Sequence, residues 1–227
     1  MNYTNELLKF AYIRGYIINN QIKINNQLLL TKDLFSLMDK EKEELINLAK
    51  EYGLKLYYFK EKEYLPRVSL VLGFLKNIYP EKLLDVGSGR GVFLFPLLNE
   101  FSNINIDSIE ILPRRIELLN NIKTGGVSNL NIYNMDITKC SFNDNSYDVV
   151  TLLEVLEHIE QVEQAIEQAI RISKKFIVIT VPSKEDDNPE HIHLLTKEKL
   201  IKIFNHYQIN NLKFSGVNGH LFLIATK

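Results

Sequence analysis

Three groups of residues have the types and spacing for chemistry. The first is the run Asp85-Val86-Gly87-Ser88-Gly89-Arg90-Gly91. Its glycines fall at every second position, so the backbone can turn tightly and approach a ligand, and free N–H groups at a helix start favour negative charge. A glycine-rich turn between strand and helix has a purely structural reading too. The second group, Glu110, lies 19 residues beyond Gly91 at the end of the next apolar run. A carboxylate placed there can accept both hydroxyls of a ribose. The third group is Glu154, Glu157 and His158, at i, i+3 and i+4. On a helix these share one face. Two carboxylates and an imidazole in one turn suit proton transfer or hard-metal ligation, and acids at a helix start also simply complement the dipole. Further on, a polar loop carries Glu185, Asp186, Asp187, Glu190, His191 and His193.

These residues need a scaffold, and the pattern of the chain supplies one. From residue 65 onward, apolar strand-like runs alternate with helical periodicity. Helices are predicted over 66–78, 113–122, 155–172 and 197–206, and strands over 82–86, 104–109, 130–133, 147–153 and 176–181. Such alternation means stacked βαβ units and a mostly parallel sheet covered on both faces. Two closing strands, over 212–216 and 220–225, are joined by Val217-Asn218-Gly219, a tight hairpin signal, so the sheet should end antiparallel. The first 64 residues read differently. Apolar pieces at 16–18, 22–24 and 28–30, separated by Asn-rich turns, suggest short strands. Thr31 can cap a helix running to Gly53, and 54–59 suggests another strand.

Composition narrows the classes. The 227 residues, 45% hydrophobic and 24% charged, suit one sizeable domain with a small appendage. One cysteine, Cys140, builds neither a disulfide framework nor a Cys-ligated zinc site and has no activating neighbour in sequence. No apolar run has a membrane-spanning length, and residues 1–10 lack a leader core, which together predict a cytoplasmic protein without a membrane partner. A net charge of −1 offers no broad basic field, which tilts any partner away from nucleic acid while leaving room for a local basic site.

The stretch Leu84-Asp85-Val86-Gly87-Ser88-Gly89-Arg90-Gly91 resembles motif I, DxGxGxG, of the class I S-adenosylmethionine-dependent methyltransferases. Ser108-Ile109-Glu110-Ile111, Asn134-Met135-Asp136-Ile137, and the segment from Tyr147 to His158 resemble that superfamily's following motifs, in order and correctly spaced over residues 65–227. The resemblance implies an α/β, Rossmann-like three-layer αβα sandwich. Its seven-stranded, mostly parallel sheet would carry an antiparallel terminal strand, preceded here by a small N-terminal α+β segment (1–64) acting as cap or lid. It implies S-adenosyl-L-methionine as cofactor, held by Asp85, Gly87, Ser88, Gly89, Glu110, Ile111, Asp136, Ile137 and Leu153. Catalytic candidates are His158, His193 and Glu154, and no metal is assigned. Two branches of the superfamily, acting on an RNA 3′-terminal ribose or on quinone precursors, are similar at Glu154, Glu157, His158 and His193, and in both a magnesium-type ion gathers the hydroxyl. The expected activity is methyl transfer to oxygen or nitrogen of a small-molecule acceptor. The alternatives are metal-assisted methylation of an RNA ribose or a catechol-like hydroxyl, and a non-catalytic cofactor-binding module. Tyr57, Tyr58, Phe59, Tyr64 and Arg67 either cover the cofactor or pack in the core; the oligomeric state stays open.

Overall fold

The computed structural model describes residues 2–61, 63–185 and 187–227. Seven strands form one sheet: β1 (Lys82–Val86), β2 (Asn105–Glu110), β3 (Leu130–Asn134), β4 (Tyr147–Leu153), β5 (Ser173–Pro182), β6 (Asn211–Val217) and β7 (His220–Thr226). Their order is β3-β2-β1-β4-β5-β7-β6, parallel except for β7, which runs antiparallel between β5 and β6. The hairpin turn uses Asn218 and Gly219, both at positive φ. That backbone matches the right-handed twist of the flanking strands.

Alternate strand residues face two separate cores, as expected for a sheet buried on both sides. Leu83, Ile106, Leu130, Val149 and Val178 pack with α1 (Asn5–Asn19), α3 (Pro66–Ile78), α4 (Leu94–Glu100) and α5 (Pro113–Thr124). Leu84, Val86, Ile109, Val150, Ile177 and Ile179 pack with α6 (Val162–Ile172) and α7 (Lys197–His206). The three layers of the Rossmann-like sandwich follow directly. No described helix is long and apolar enough to cross a membrane.

The N-terminal segment departs from expectation. It contains no strand among its described residues. Tyr16, Ile17 and Ile18 continue α1, whose start is capped by Thr4 accepting a hydrogen bond from the Leu7 amide. Residues 28–30 form a 3₁₀ turn, and the 54–59 piece includes another at Tyr57–Phe59. The second helix, α2 (Asp39–Glu51), begins later than Thr31, with the Glu41 carboxylate accepting from the Met38 amide at 2.7 Å. The segment is therefore helical rather than α+β.

The reason lies far away in sequence. Buried Arg14 donates to the carbonyls of Leu30 and Lys32 at 2.8 and 2.7 Å, winding that stretch around its guanidinium. Helix α1 itself lies against α5 with backbones in contact. A Cβ on Gly15 would sit 1.8 Å from the Asn121 carbonyl oxygen, and one on Gly125 would sit 1.7 Å from that of Ala11.

Candidate functional site

The order of the sheet reverses between β1 and β4, and in open α/β sheets ligands bind beyond the strand ends at such a point. A cavity of about 660 Å³ opens there. Asp85, Gly87, Ser88, Gly89, Glu110, Ile111, Asp136, Ile137, Leu153, Glu154 and His158 all line it. Residues scattered over some 70 positions are thus gathered by the C-terminal ends of four parallel strands.

Each side chain is held by its neighbours. Asp85, at the end of β1, is 2% exposed. Its carboxylate accepts from the Ser88 hydroxyl and, at 2.8 Å, from Thr151 Oγ1 on β4, its partner in register. Burial pushes its pKa up to about 6, although the Ser88 and Thr151 hydrogen bonds pull the other way. Ser88 Oγ also lies 2.7 Å from Ser108 Oγ on β2. The turn after β1 requires glycine at 87. Its φ is +67°, and a Cβ would meet Val155 Cγ2 at 2.8 Å. The Gly87 amide donates to the Ile109 carbonyl at 2.9 Å, tying the turn to β2.

Glu110 ends β2 and is 4% exposed. Its Oε2 accepts from the Gly89 amide at 3.0 Å, while Oε1 accepts from the amides of Ile111 and Leu112 at 2.9 and 3.1 Å. Arg115 of α5 adds a cation 3.7 Å away. Asp136 is exposed and caps a short turn, its Oδ1 accepting from the Thr138 amide and hydroxyl at 2.8 and 2.9 Å. The turn role and the cavity-lining role therefore coexist in one residue.

The stretch after β4 is not the expected continuous helix. Glu154 adopts φ +57° and its amide donates to the Thr180 carbonyl at 2.9 Å. A 3₁₀ turn at Leu156–His158 follows, and α6 begins only at Val162. Glu154 thus parts from Glu157 and His158 instead of sharing one helix face with them. Glu154 accepts from Thr180 Oγ1 at 2.8 Å and meets His220 Nδ1 at 2.9 Å and Arg67 Nε at 3.8 Å. It anchors Arg67, which also lines the cavity. Glu157 turns inward and is buried.

His158 stays at the cavity, with Nδ1 2.8 Å from the Glu190 carbonyl oxygen. A carbonyl only accepts, so Nδ1 carries a proton, and in the neutral ring the lone pair is then on Nε2. The fourth expected member, His193, lies outside the lining, its Nε2 3.3 Å from the Glu160 carbonyl oxygen. His191, also outside the lining, is the loop histidine that meets His158, packing edge-on with ring centroids 4.8 Å apart. Its position is set where the Ile192 amide donates to the Glu157 carbonyl at 2.9 Å. One ligand atom each from Glu157, His158 and His191 lie within 4.8 Å of one another. Asp186 of the same loop is outside the described residues.

Thr151, opposite Asp85 in register, and His220, beside Glu154, belong to the site and carry no local sequence signal. Arg67 and His191 stand out in the sequence only as a junction residue and a loop residue. No described residue from 2–61 lines the cavity, whereas Arg67 and Val68 of α3 do. Cys140 is buried, and burial pushes its thiol up, as befits an inert residue.

The cavity is of a size usual for cofactor sites. A carboxylate ends β2 and a glycine-built turn closes over β1, a lining that suits the ribose of a nucleoside. Comparison with known proteins agrees with that geometry. A family whose description is "Methyltransferase domain" matches residues 80–214. The chain belongs to this family, and with it to the class I S-adenosylmethionine-dependent methyltransferases, whose cofactor is S-adenosylmethionine. Among curated relatives, a ubiquinone biosynthesis O-methyltransferase of Rickettsia typhi is 35% identical over 104 residues, covering 44% of this chain and 41% of the relative. Another of that description from Rickettsia bellii is 30% identical over 118 residues, covering 50% and 48%. The chain thus spans less than half the length of these relatives. In fold it is similar to an O-methyltransferase family protein from Burkholderia thailandensis, with a TM-score of 0.61 and 12% identity over 96% of this chain and 71% of that one.

Proposed function

We propose that this protein transfers the methyl group of S-adenosylmethionine to a hydroxyl of a small-molecule acceptor. The observation that carries the reading is the convergence of Asp85, the Gly87–Gly89 backbone, Glu110 and Asp136 on one cavity, with the His158 imidazole at its edge. The names of the Rickettsia relatives favour oxygen over nitrogen as the acceptor atom. In this reading residues 65–227 are the methyltransferase domain, and residues 1–64 are a segment docked beside it.

The cofactor supplies a methyl group already activated on a sulfonium, so the protein's share is alignment and proton management. Glu110, held in place by the amides of Gly89, Ile111 and Leu112, would accept the ribose hydroxyls. Asp136 and Ile137 would hold the adenine, the first as a polar partner and the second as an apolar one. Asp85 and the glycine turn would hold the sugar and the amino-acid end. Leu153 and Val155 narrow the space toward the acceptor. With the cofactor bound, the acceptor oxygen would gain the methyl group as its bond to sulfur breaks and S-adenosylhomocysteine leaves. His158 Nε2 would take the acceptor's proton, and the carbonyl of Glu190 would stabilise the imidazolium through Nδ1. Glu154 acts through Arg67, which it orients with His220.

A second reading, metal-assisted O-methylation, is favoured by the grouping of Glu157, His158 and His191. A divalent ion there would gather the acceptor hydroxyl and lower its pKa. Glu154, engaged by Thr180, His220 and Arg67, is not part of that set.

The test is calorimetry with S-adenosylhomocysteine, followed by transfer of labelled methyl to a catechol and to a short RNA duplex, each with and without magnesium. Binding followed by catechol labelling supports the proposal, and RNA labelling alone would overturn the acceptor class. Absence of binding would overturn the whole reading. Metal dependence that disappears in both His158→Ala and His191→Ala selects the second mechanism over the first.

A further inference from the structure

We propose that the cleft between the N-terminal segment and α5 binds a phosphate group, free or as a monoester, at a site separate from the methyl-transfer cavity. This cleft has a volume of about 450 Å³. Lys55, Tyr57 and Tyr58 line one wall, Arg114, Arg115 and Glu117 the other, with Arg90 at the junction with the first cavity.

The charge arithmetic is unusual for a chain whose net charge is −1. Four cations face a single carboxylate. Arg115 is already engaged by Glu110, whereas Lys55, Arg90 and Arg114 form no ion pair among the described residues. Setting Glu117 against one of these three leaves a surplus of about two positive charges, which matches the charge of a phosphate monoester near neutral pH. Guanidinium forks suit the tetrahedral oxygens of phosphate better than they suit a single diffuse counter-ion.

The tyrosines contribute a donor. Tyr57 and Tyr58 hydroxyls lie 2.7 Å apart and their rings 4.1 Å. Their mutual hydrogen bond uses one hydroxyl proton, and the other remains for an acceptor oxygen. Arg90 and Arg114 lie near enough to act electrostatically on the Tyr57 phenol, so cations and donor converge on one region.

The location separates this site from the reaction. It shares Arg90, Leu112 and Arg115 with the Glu110 flank of the first cavity and none of Glu154, His158 or Arg67. A ligand there touches the side of the cofactor pocket opposite the proposed proton acceptor. The site does not depend on the methyl-transfer reading.

Inorganic phosphate and ribose 5-phosphate are the probes, titrated calorimetrically into the full chain at fixed ionic strength with S-adenosylhomocysteine saturating, and again without it. One equivalent of either probe should bind in both conditions, and tighter binding of ribose 5-phosphate identifies the monoester as the source. Arg114→Glu and Lys55→Glu should each weaken binding by about tenfold or more. Both variants should keep wild-type affinity for S-adenosylhomocysteine and an unchanged thermal midpoint. No binding of either probe up to about 10 mM would overturn the proposal. So would affinity that survives both charge reversals. If S-adenosylhomocysteine itself fails to bind, the arm without it still decides the matter.

Discussion

Substituting Gly87 by alanine tests the turn on which the whole site rests. Two separate costs follow from its geometry. The residue sits at φ +67°, where any side chain costs about 1–2 kcal/mol relative to glycine. The added Cβ would also lie 2.8 Å from Val155 Cγ2 and 3.3 Å from Cγ1, and relieving such crowding costs about 1–3 kcal/mol. The expected destabilisation is about 2–5 kcal/mol, measured by urea unfolding. The two costs can be told apart, because only the second involves Val155. Val155→Ala removes both γ carbons, so the double variant should recover the crowding share and retain the backbone share. A coupling of about 1–3 kcal/mol between positions 87 and 155 is therefore expected. Strict additivity of the two substitutions would refute the contact, and a cost below about 0.5 kcal/mol for Gly87→Ala would refute the strained turn itself.

Other expectations follow from the same network. The Asp85 carboxyl is raised to about 6 in the folded chain from 3.8. The folded state therefore binds the extra proton first, and this group adds stability as pH falls from about 7 toward 4. Asp85→Asn should remove that rise, seen as a flatter unfolding free energy between pH 7.5 and about 5; an unchanged slope would contradict the assignment. Glu110→Gln should weaken S-adenosylhomocysteine binding by about tenfold or more in calorimetry, since the amide replaces one acceptor oxygen with an NH2 donor. Tyr147→Phe should cost about 1–3 kcal/mol in thermal unfolding, because the buried Asp107 carboxylate loses a hydrogen bond of 2.7 Å and keeps only Lys82 and Asn131. His158→Ala should lower kcat for a catechol about 100-fold or more while leaving cofactor affinity intact, and a preserved kcat would remove His158 as the proton acceptor.

The core was legible because its signals are local. Strand runs, a glycine turn and an acid at the end of the next strand each reveal themselves within a few residues, and the parallel sheet brings such strand ends together. The N-terminal segment was not legible. Its apolar triplets look like strands, yet Tyr16, Ile17 and Ile18 extend a helix that has α5 to pack against, and Leu28–Leu30 coil around Arg14. Tertiary partners outweighed local preference there. The stretch after β4 was misread for a related reason. Its periodicity is helical, but Thr180, His220 and Arg67 hold Glu154 in a left-handed conformation that no helix can pass through. The exchange of His191 for His193 reflects loop geometry fixed by one backbone hydrogen bond from Ile192 to Glu157.

The contact of α1 with α5 also sets a schedule for the nascent chain. Asn19 and Asn121, hydrogen-bonded at 2.7 Å, are 102 residues apart. At ordinary elongation rates α1 leaves the ribosome several seconds or more before its partner exists. During that interval Leu8, Phe10, Ile13 and Ile17, all buried in the finished fold, have only the rest of the N-terminal segment to pack against and lack the cover of α5. Helix α1 thus waits for α5, with α2, α3 and α4 made in between, before it can dock in full. A ribosome-bound chain stalled before residue 113 should be a better substrate for a chaperone than one stalled after α5 has emerged.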